Sequence, residues 1–299
     1  MSSPVTAGSS ARRRASIGAY IRLTKPRVIE LLLVTAVPPM ILAEGGWPGS
    51  ALVAAVVVGG ALAAGGANTI NCWLERDRDR LMRRTSNRPL PQGEVEPGRA
   101  LWFGIGLNVI AFVLLAAVAN LLAAALTLSA TLFYVFVYTL WLKPRTVQNI
   151  VIGGAAGAVP AMVGWAAVRG SIALPAVLLF LLVFMWTPAH FWALALRYQD
   201  DYAAAGIPML PVVRGIEATT RQITAYAMYT VACSFALTAT GDLGRLYAIS
   251  ALVLGVVFTY RAFALRRDPT PERAIGFFTL SNVYLTLLFA AVALDPFIG

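Results

Sequence analysis

Acidic and amide side chains follow an apolar run in residues 71–79, which have the sequence NCWLERDRD. On a helix, Asn71, Glu75 and Asp79 would share one face, with about 6 Å of rise between neighbours, while Asp77 would point roughly the opposite way. Two carboxylates and an amide in line offer oxygen ligands, which suit Mg²⁺ where substrate phosphates complete its coordination. Because the chain has one histidine, a His-rich zinc or iron site is excluded.

A second acidic pair, Asp200 and Asp201, lies in the sequence RYQDDYAAAGIPMLP, where Gly206 and Pro208 predict the end of a helix. A continuous helix would place Asp201 on the same face as His190, with Asp200 rotated away by about 100°. Solvated helix ends neutralised by arginines are the alternative interpretation of both clusters. Two clusters on long connections favour a metal site instead, with Glu75, Asp79, Asp200 and Asp201 as candidate ligands.

Basic residues near these acids could balance a polyanion. The candidate phosphate contacts are Arg83, Arg84, Arg88, Lys143 and Arg145. For any one of them, topology signalling or contact with lipid headgroups is the simpler role, but the set beside an acidic cluster favours a metal–diphosphate site. A diphosphate at the mouth of an apolar bundle implies a lipid tail that runs inward and an allylic carbocation when the diphosphate leaves.

The elements that must position these residues are membrane helices. The chain has 299 residues, of which 59% are hydrophobic and 13% charged, and its apolar runs of about 20 residues predict an all-α polytopic membrane protein. We expect one bundle that encloses an apolar substrate cavity, formed by residues 28–299 as a single domain after a basic tail, residues 1–27. The nine predicted spans are 28–46, 50–72, 100–118, 121–142, 147–168, 172–195, 219–240, 245–265 and 274–294.

The charge distribution predicts the orientation of this bundle. Of the basic residues, only Arg169 and Arg245 fall on one side of the predicted spans, which places the N-terminus inside and the C-terminus outside. The net charge of +10 is thus explained by topology and not by nucleic acid, with anionic membrane lipid as a secondary partner. The bacterial plasma membrane is the expected location, and the mitochondrial inner membrane is the alternative. Cys72 and Cys233 lack the spacing of zinc or haem-attachment sites.

Several segments resemble a known family. They are TKPRV at residues 24–28, MRRTSNRPLP at 82–91, LKPRTVQNIVIGGAAGAVPAMVGW at 142–165, WTPAHFWALA at 186–195 and DYAAAGIPMLPV at 201–212. Together with the spacing of Asn71, Glu75 and Asp79, they resemble the UbiA-type intramembrane prenyltransferases, most closely those that farnesylate haem b. The likeness runs from the first to the seventh predicted helix. Glu75 stands where the family usually has Asp, and TPAH stands where a second proline is usual.

The resemblance implies a transferase that uses Mg²⁺ and two substrates, farnesyl diphosphate and haem b. Farnesyl diphosphate would ionise, a haem vinyl group would attack the C1 cation, and water would complete haem O for haem A biosynthesis. The family motif includes His190, which the resemblance implies as a haem ligand, whereas a lone membrane histidine can also bond across the bundle. The next enzyme of haem A synthesis is an implied partner. The prenyl channel could be lined by Tyr134, Tyr138, Trp186 and Trp192, but at helical spacing we interpret them as bundle packing.

Three other functions are compatible with parts of the pattern. The same chemistry could act on a quinone precursor or another aromatic acceptor. An ion-coupled transporter would place its acids near the membrane midplane, whereas these gather at one face. A phosphatidyl-alcohol transferase would have glycines inside its acidic helix motif, and residues 71–84 contain none.

Overall fold

The computed structural model describes residues 16–298, apart from the side chains of Arg27, Val28 and residues 30–33. The described chain consists of helices without a strand, and most connections are short apart from the one between Asp79 and Pro97. The α-helices are α1 (Ile17–Thr24), α2 (Pro26–Glu44), α3 (Ser50–Asp79), α4 (Pro97–Val118), α5 (Leu121–Leu132), α6 (Asn149–Arg169), α7 (Leu174–Arg197), α8 (Gln199–Ala204), α9 (Leu210–Thr238), α10 (Arg245–Arg267) and α11 (Pro271–Leu294). A π-helical segment (Phe133–Leu142) continues α5, and a 3₁₀ turn (Asp295–Phe297) follows α11.

The predicted all-α membrane architecture is confirmed. Each of the nine predicted spans coincides with a helix, namely α2 to α7, with the π-helical segment continuing α5, and α9 to α11. Within residues 16–298, seven helices are long and apolar enough to cross a membrane: α3, α4, α5 with its π-helical continuation, α6, α7, α10 and α11 with the 3₁₀ turn. The number of nine crossings therefore stays a prediction.

The long helices form a ring. Each packs against the next along the chain, α7 packs directly against α9, and α11 returns to contact α2. Small residues allow close approach within this ring: a Cβ added to Gly66 of α3 would lie 2.6 Å from the carbonyl oxygen of Gly104 in α4. Such small-residue contacts are typical of membrane helices, because lipid supplies no hydrophobic force that drives helices together.

Two local features differ from the expected layout. Inside the segment assigned to the basic tail, α1 packs on α3 and buries Ala19 and Leu23, while residues 1–15 lie outside the described residues. The continuous helix through His190 and Asp201 is wrong, because α7 ends at Arg197 and Tyr198 leaves helical geometry (φ −112°, ψ 30°) before α8 begins. Asp201 therefore does not share a helix face with His190.

Candidate active site

A cavity of about 380 Å³ lies between α2, α3, α5 with its π-helical continuation, α6 and α7. Most of its wall consists of small or apolar side chains. Its charged and amide-bearing lining residues are Lys25, Asn68, Asn71, Glu75, Asp79, Arg84, Arg88 and Lys143. A ligand that fits such a cavity has an apolar chain and an anionic head.

The C-terminal turns of α3 supply the acidic side of this polar end. The helix continues to Asp79, so Asn71, Glu75 and Asp79 lie on one buried face, with 2%, 3% and 0% of their surface exposed. The side chain of Asp77, on the other face, is 72% exposed. The spacing of these residues therefore predicted their placement correctly.

Glu75 lies at the centre of a buried network. Its carboxylate accepts hydrogen bonds from Asn71 Nδ2 at 2.9 Å and from Lys143 Nζ at 2.7 Å. Asn71 in turn accepts a bond from Lys25 Nζ at 2.8 Å and donates to Thr139 Oγ1 at 3.2 Å. Burial lowers the pKa of Lys25 below its usual value. Two lysines around one carboxylate leave an excess of positive charge for an anionic head.

Asp79 forms the second ion pair of the polar end. Its two carboxylate oxygens accept bonds from Arg88 Nη1 at 2.9 and 2.7 Å, and its carbonyl oxygen accepts one from Thr85 Oγ1 at 3.0 Å. Burial, the largest single influence, lowers the pKa of Arg88, but the adjacent Asp79 carboxylate together with Cys72 and Glu75 raises that pKa above its usual value. The connection after α3 is thus folded back onto the helix end.

Asp201 and Asp200 lie in a second cavity of about 360 Å³, lined also by Arg83, Arg84, Arg197 and Tyr198. Asp201 is buried and accepts bonds from the Arg84 backbone N–H at 3.1 Å and from Arg83 Nε at 3.4 Å, whereas Asp200 is exposed. The four candidate metal ligands are therefore divided between two cavities. Throughout residues 16–298, no three His, Cys, Asp or Glu side chains gather into a metal-binding group.

The candidate phosphate contacts also separate. Arg84, Arg88 and Lys143 line the main cavity, and Arg84 lines the second cavity as well. Arg83 lines only the second cavity. Arg145 lines neither, because its Nη1 donates to the carbonyl oxygens of Leu140 and Trp141 at 3.0 and 3.2 Å.

Sequence reasoning missed Lys25, which has a left-handed backbone conformation with φ 54°. Such a conformation is uncommon for a residue with a side chain, and it directs the chain from α1 into α2. Pro26 offered a signal, since a residue before proline is disfavoured in the right-handed helical region. What the sequence did not show is the contact across 46 residues that brings the Lys25 amine to Asn71.

The π-helical segment explains how the aromatic wall and Lys143 meet. In an α-helix, residues five apart are about 140° apart around the axis, but i to i+5 hydrogen bonding brings them close together. Here Lys143 N–H bonds Tyr138 O at 2.9 Å, and Thr139 Oγ1 bonds Tyr134 O at 2.8 Å. The Tyr134 and Tyr138 rings stack with centroids 5.4 Å apart and line the cavity. These two tyrosines therefore have the cavity-lining position that the sequence left open beside bundle packing.

His190 lies beside the main cavity and not in its wall, which α7 reaches through Thr187 and Phe191. The imidazole is stacked between Trp186 and Phe278, with centroids 4.1 and 4.4 Å away. Its Nδ1 is 2.7 Å from the hydroxyl of Ser281 on α11. The interhelical hydrogen bond considered for this residue is thus present.

The fold and the cavity together define an intramembrane helical protein that binds an amphiphile with an anionic head. The chain matches the UbiA prenyltransferase family over residues 31–288, and it belongs to that family. It is 52% identical to "Protoheme IX farnesyltransferase" of Clavibacter michiganensis subsp. michiganensis, over 93% of this chain and 92% of the relative. It is 50% identical to the protein of the same name from Parafrankia sp., over 97% and 93% of the two chains.

Solved structures share the fold. One, described as digeranylgeranylglyceryl phosphate synthase, superposes with a TM-score of 0.77 at 18% identity and covers 94% of this chain and 98% of its own. A UbiA homologue from Archaeoglobus fulgidus bound to GPP and Mg²⁺ gives a TM-score of 0.64 at 19% identity, with 92% and 99% covered. The resemblance predicted from the sequence motifs is confirmed.

Proposed function

We propose that this protein transfers the farnesyl group of farnesyl diphosphate to a vinyl group of protohaem IX. Water adds to the product cation, and haem O and diphosphate are released. The observation that carries the proposal is the cavity that joins an apolar wall to the Glu75, Asp79 and Lys143 end, in a chain about half identical to protohaem farnesyltransferases. Haem O would then be consumed by the next enzyme of haem A synthesis.

The donor set at the polar end fits Mg²⁺. Asn71, Glu75 and Asp79 line the cavity, and Mg²⁺ prefers one or two carboxylates together with substrate phosphates. These residues would hold the ion, which when bound neutralises part of the charge on the departing diphosphate. Their oxygens accept bonds from Lys25, Lys143 and Arg88, cations that would turn to the diphosphate when the ion binds. We propose that Asp201 acts differently: it orients Arg83 and Arg84 through the bonds that its carboxylate accepts.

The chain's own residues would support each bond change. Lys143, Arg84 and Arg88 stabilise the diphosphate as the C1–O bond breaks and its electron pair stays with the leaving group. The ring faces of Tyr134 and Tyr138 stabilise the allylic cation, and the apolar wall keeps water away from it. The vinyl carbon then bonds to C1, and the new cation beside the macrocycle takes the oxygen of water, which loses a proton.

We also propose that His190 ligates the haem iron. The Ser281 hydroxyl uses its one hydrogen to donate a bond to Phe278 O at 2.6 Å, so it accepts the hydrogen bond that His190 Nδ1–H donates. In the neutral ring, Nε2 then carries the lone pair that a metal requires. Nε2 makes no hydrogen bond with any residue that the structure describes. The haem iron would then lie on the side of the imidazole that faces away from Ser281 of α11.

The protein is an integral membrane protein. We propose that it resides in the bacterial plasma membrane with its N-terminus inside, where the polar ends of both cavities would face the cytoplasm. The support is the asymmetry of the basic residues, of which only Arg169 and Arg245 fall on the other side.

The test uses purified protein in detergent with haem b, farnesyl diphosphate and Mg²⁺, and mass spectrometry of the product. We expect a mass equal to haem plus farnesyl plus water, and its loss with EDTA. Asp79→Asn should lower turnover by about 100-fold or more while the protein stays folded. Unchanged haem together with a prenylated quinone precursor would refute haem as the acceptor and would leave the diphosphate site in place.

A further inference from the structure

The second cavity contains more positive charge than its acids neutralise. Its three arginines, Arg83, Arg84 and Arg197, face Asp200 and Asp201. The Asp201 carboxylate accepts hydrogen bonds from Arg83 Nε and from the backbone N–H of Arg84. The guanidinium of Arg84 makes no bond with that carboxylate. Among the residues that the structure describes, neither Arg84 nor Arg197 forms an ion pair.

One tyrosine holds these two guanidinium groups in place. Arg84 lies 5.5 Å and Arg197 lies 5.9 Å from the centroid of the Tyr198 ring. Arg84 is further fixed by a bond to Tyr202 OH at 3.3 Å and by the face of that ring at 5.7 Å. Cations that rest on aromatic rings keep their hydrogen-bond donors available, so the pair is arranged to receive anionic oxygens.

The position of Arg197 relates this cavity to the haem. Arg197 follows His190 by seven residues on α7, which places both on one face about 10 Å apart along the axis. Leu194 lies between them on the same face, and exposure increases from the half-buried His190 to the exposed Arg197. This face therefore presents a metal ligand at His190, an aliphatic side chain at Leu194 and a cation at Arg197. A flat, apolar molecule with a bound metal and acidic groups at one edge would match these three side chains.

Resting on the proposed function, we infer that the second cavity binds the two propionate carboxylates of the haem acceptor. Arg197 is the principal contact, and Arg84, which lines both cavities, joins this site to the diphosphate site. The haem edge that carries the carboxylates then lies at the membrane surface, and the rest of the ring extends along α7. Bidentate contacts between arginine and carboxylate would fix the rotation of the ring about the iron.

The experiment compares protohaem with its dimethyl ester, whose propionates carry no charge. Spectroscopic titration of the full-length protein in detergent should give a dissociation constant for protohaem about tenfold lower than that for the ester. Arg197→Gln should raise the protohaem constant about tenfold and leave both the ester constant and the KM for farnesyl diphosphate unchanged. Arg266→Gln, at the exposed end of α10, is the matched control and should change none of them.

Each other result overturns the inference. A higher KM for farnesyl diphosphate in Arg197→Gln would assign the cavity to the diphosphate. An unchanged preference for protohaem over the ester in that variant would assign it to a lipid headgroup or to solvent. If the wild-type protein neither binds nor farnesylates protohaem, the proposed function itself fails. Equal turnover of protohaem and its ester by the wild type would refute the propionate site and leave the proposed function in place.

Discussion

Lys25 connects the backbone path between α1 and α2 to the orientation of a single amide. Its amine donates to Asn71 Oδ1, so Asn71 must present its Nδ2 to Glu75 and Thr139. Without the amine, the amide could turn over and face Glu75 with an oxygen, which would repel the carboxylate. Lys25 therefore acts on the site through Asn71 as well as through its own charge.

From this geometry we predict the behaviour of Lys25→Met, which keeps the length of the side chain but removes the amine. We expect the KM for farnesyl diphosphate to rise about tenfold, because one buried cation and one fixed amide are lost. Arg80→Met is the control, since Arg80 is exposed at the end of α3 and, among the described residues, forms an ion pair only with Asp77. Steady-state kinetics with both variants would test the prediction, and equal KM values would contradict it.

Ser281 sets the tautomer of His190 by donating its own proton to Phe278 O. We predict that Ser281→Ala weakens haem binding about fivefold and changes the haem absorption spectrum, because Nδ1 loses its acceptor and the ring no longer favours a lone pair on Nε2. Thr230→Ala, on α9, removes another buried hydroxyl that bonds only within its own helix. A spectrum that responds to neither change would show that Ser281 does not set the tautomer of His190.

The residues that could be predicted from the sequence are those whose relation is local. Asn71, Glu75 and Asp79 are four residues apart on one continuous helix, so helical periodicity was sufficient to place them together. Asp201 was misplaced because Tyr198 interrupts the helix between it and His190. The contacts of Lys25 with Asn71 and of Lys143 with Glu75 join residues 46 and 68 positions apart, and no local pattern contains that information.

Among the elements, the π-helical segment shapes one wall of the site directly. It was predicted as part of an ordinary span, because its sequence FYVFVYTLWL is mostly apolar and carries no sign of a changed helical period. Its i to i+5 bonding places Tyr138 and Lys143 on the same wall. π-Helical turns inside α-helices are frequently found at functional sites, and this one forms the aromatic side of the cavity.

Gly153 of α6 makes room for that aromatic side. An added Cβ at Gly153 would overlap Tyr138 Cδ2, and the ring cannot move away without disturbing the stacked Tyr134. We predict that Gly153→Ala destabilises the protein by about 1–3 kcal/mol and lowers turnover. Gly106→Ala on α4, where an added Cβ meets nothing within 4 Å, should be neutral or slightly stabilising. Thermal unfolding and activity assays would separate the two, and equal unfolding temperatures would show that the ring adapts.

At the scale of the whole molecule, the ring of helices creates the apolar cavity and α3 closes one end of it with charge. Hydropathy predicts the helices, because backbone N–H and C=O groups in lipid must form hydrogen bonds within their own segment. This constraint applies to each span separately. The order in which the helices close the ring, α11 onto α2, depends on packing between distant segments and could not be obtained in that way. The depth of the cavity follows from this packing.

That depth should determine the length of the prenyl chain. Gly157 lines the cavity seven residues beyond Ile150, about 10 Å from the polar end of α6, and an added Cβ there meets nothing within 4 Å. We predict that Gly157→Phe raises the KM for farnesyl diphosphate about tenfold, whereas geranyl diphosphate, one isoprene unit shorter, is affected much less. The phenyl ring would occupy the space of the last unit.

Gly106→Phe is the matched control, because it adds the same ring to a glycine of α4 outside the cavity and should leave the preference between the two diphosphates unchanged. Competition between farnesyl and geranyl diphosphate for one acceptor, followed by mass spectrometry, measures that preference directly. If Gly157→Phe retains the wild-type ratio, the prenyl chain does not run along α6. The apolar wall would then serve the bundle's packing and the chain would leave the site by another path.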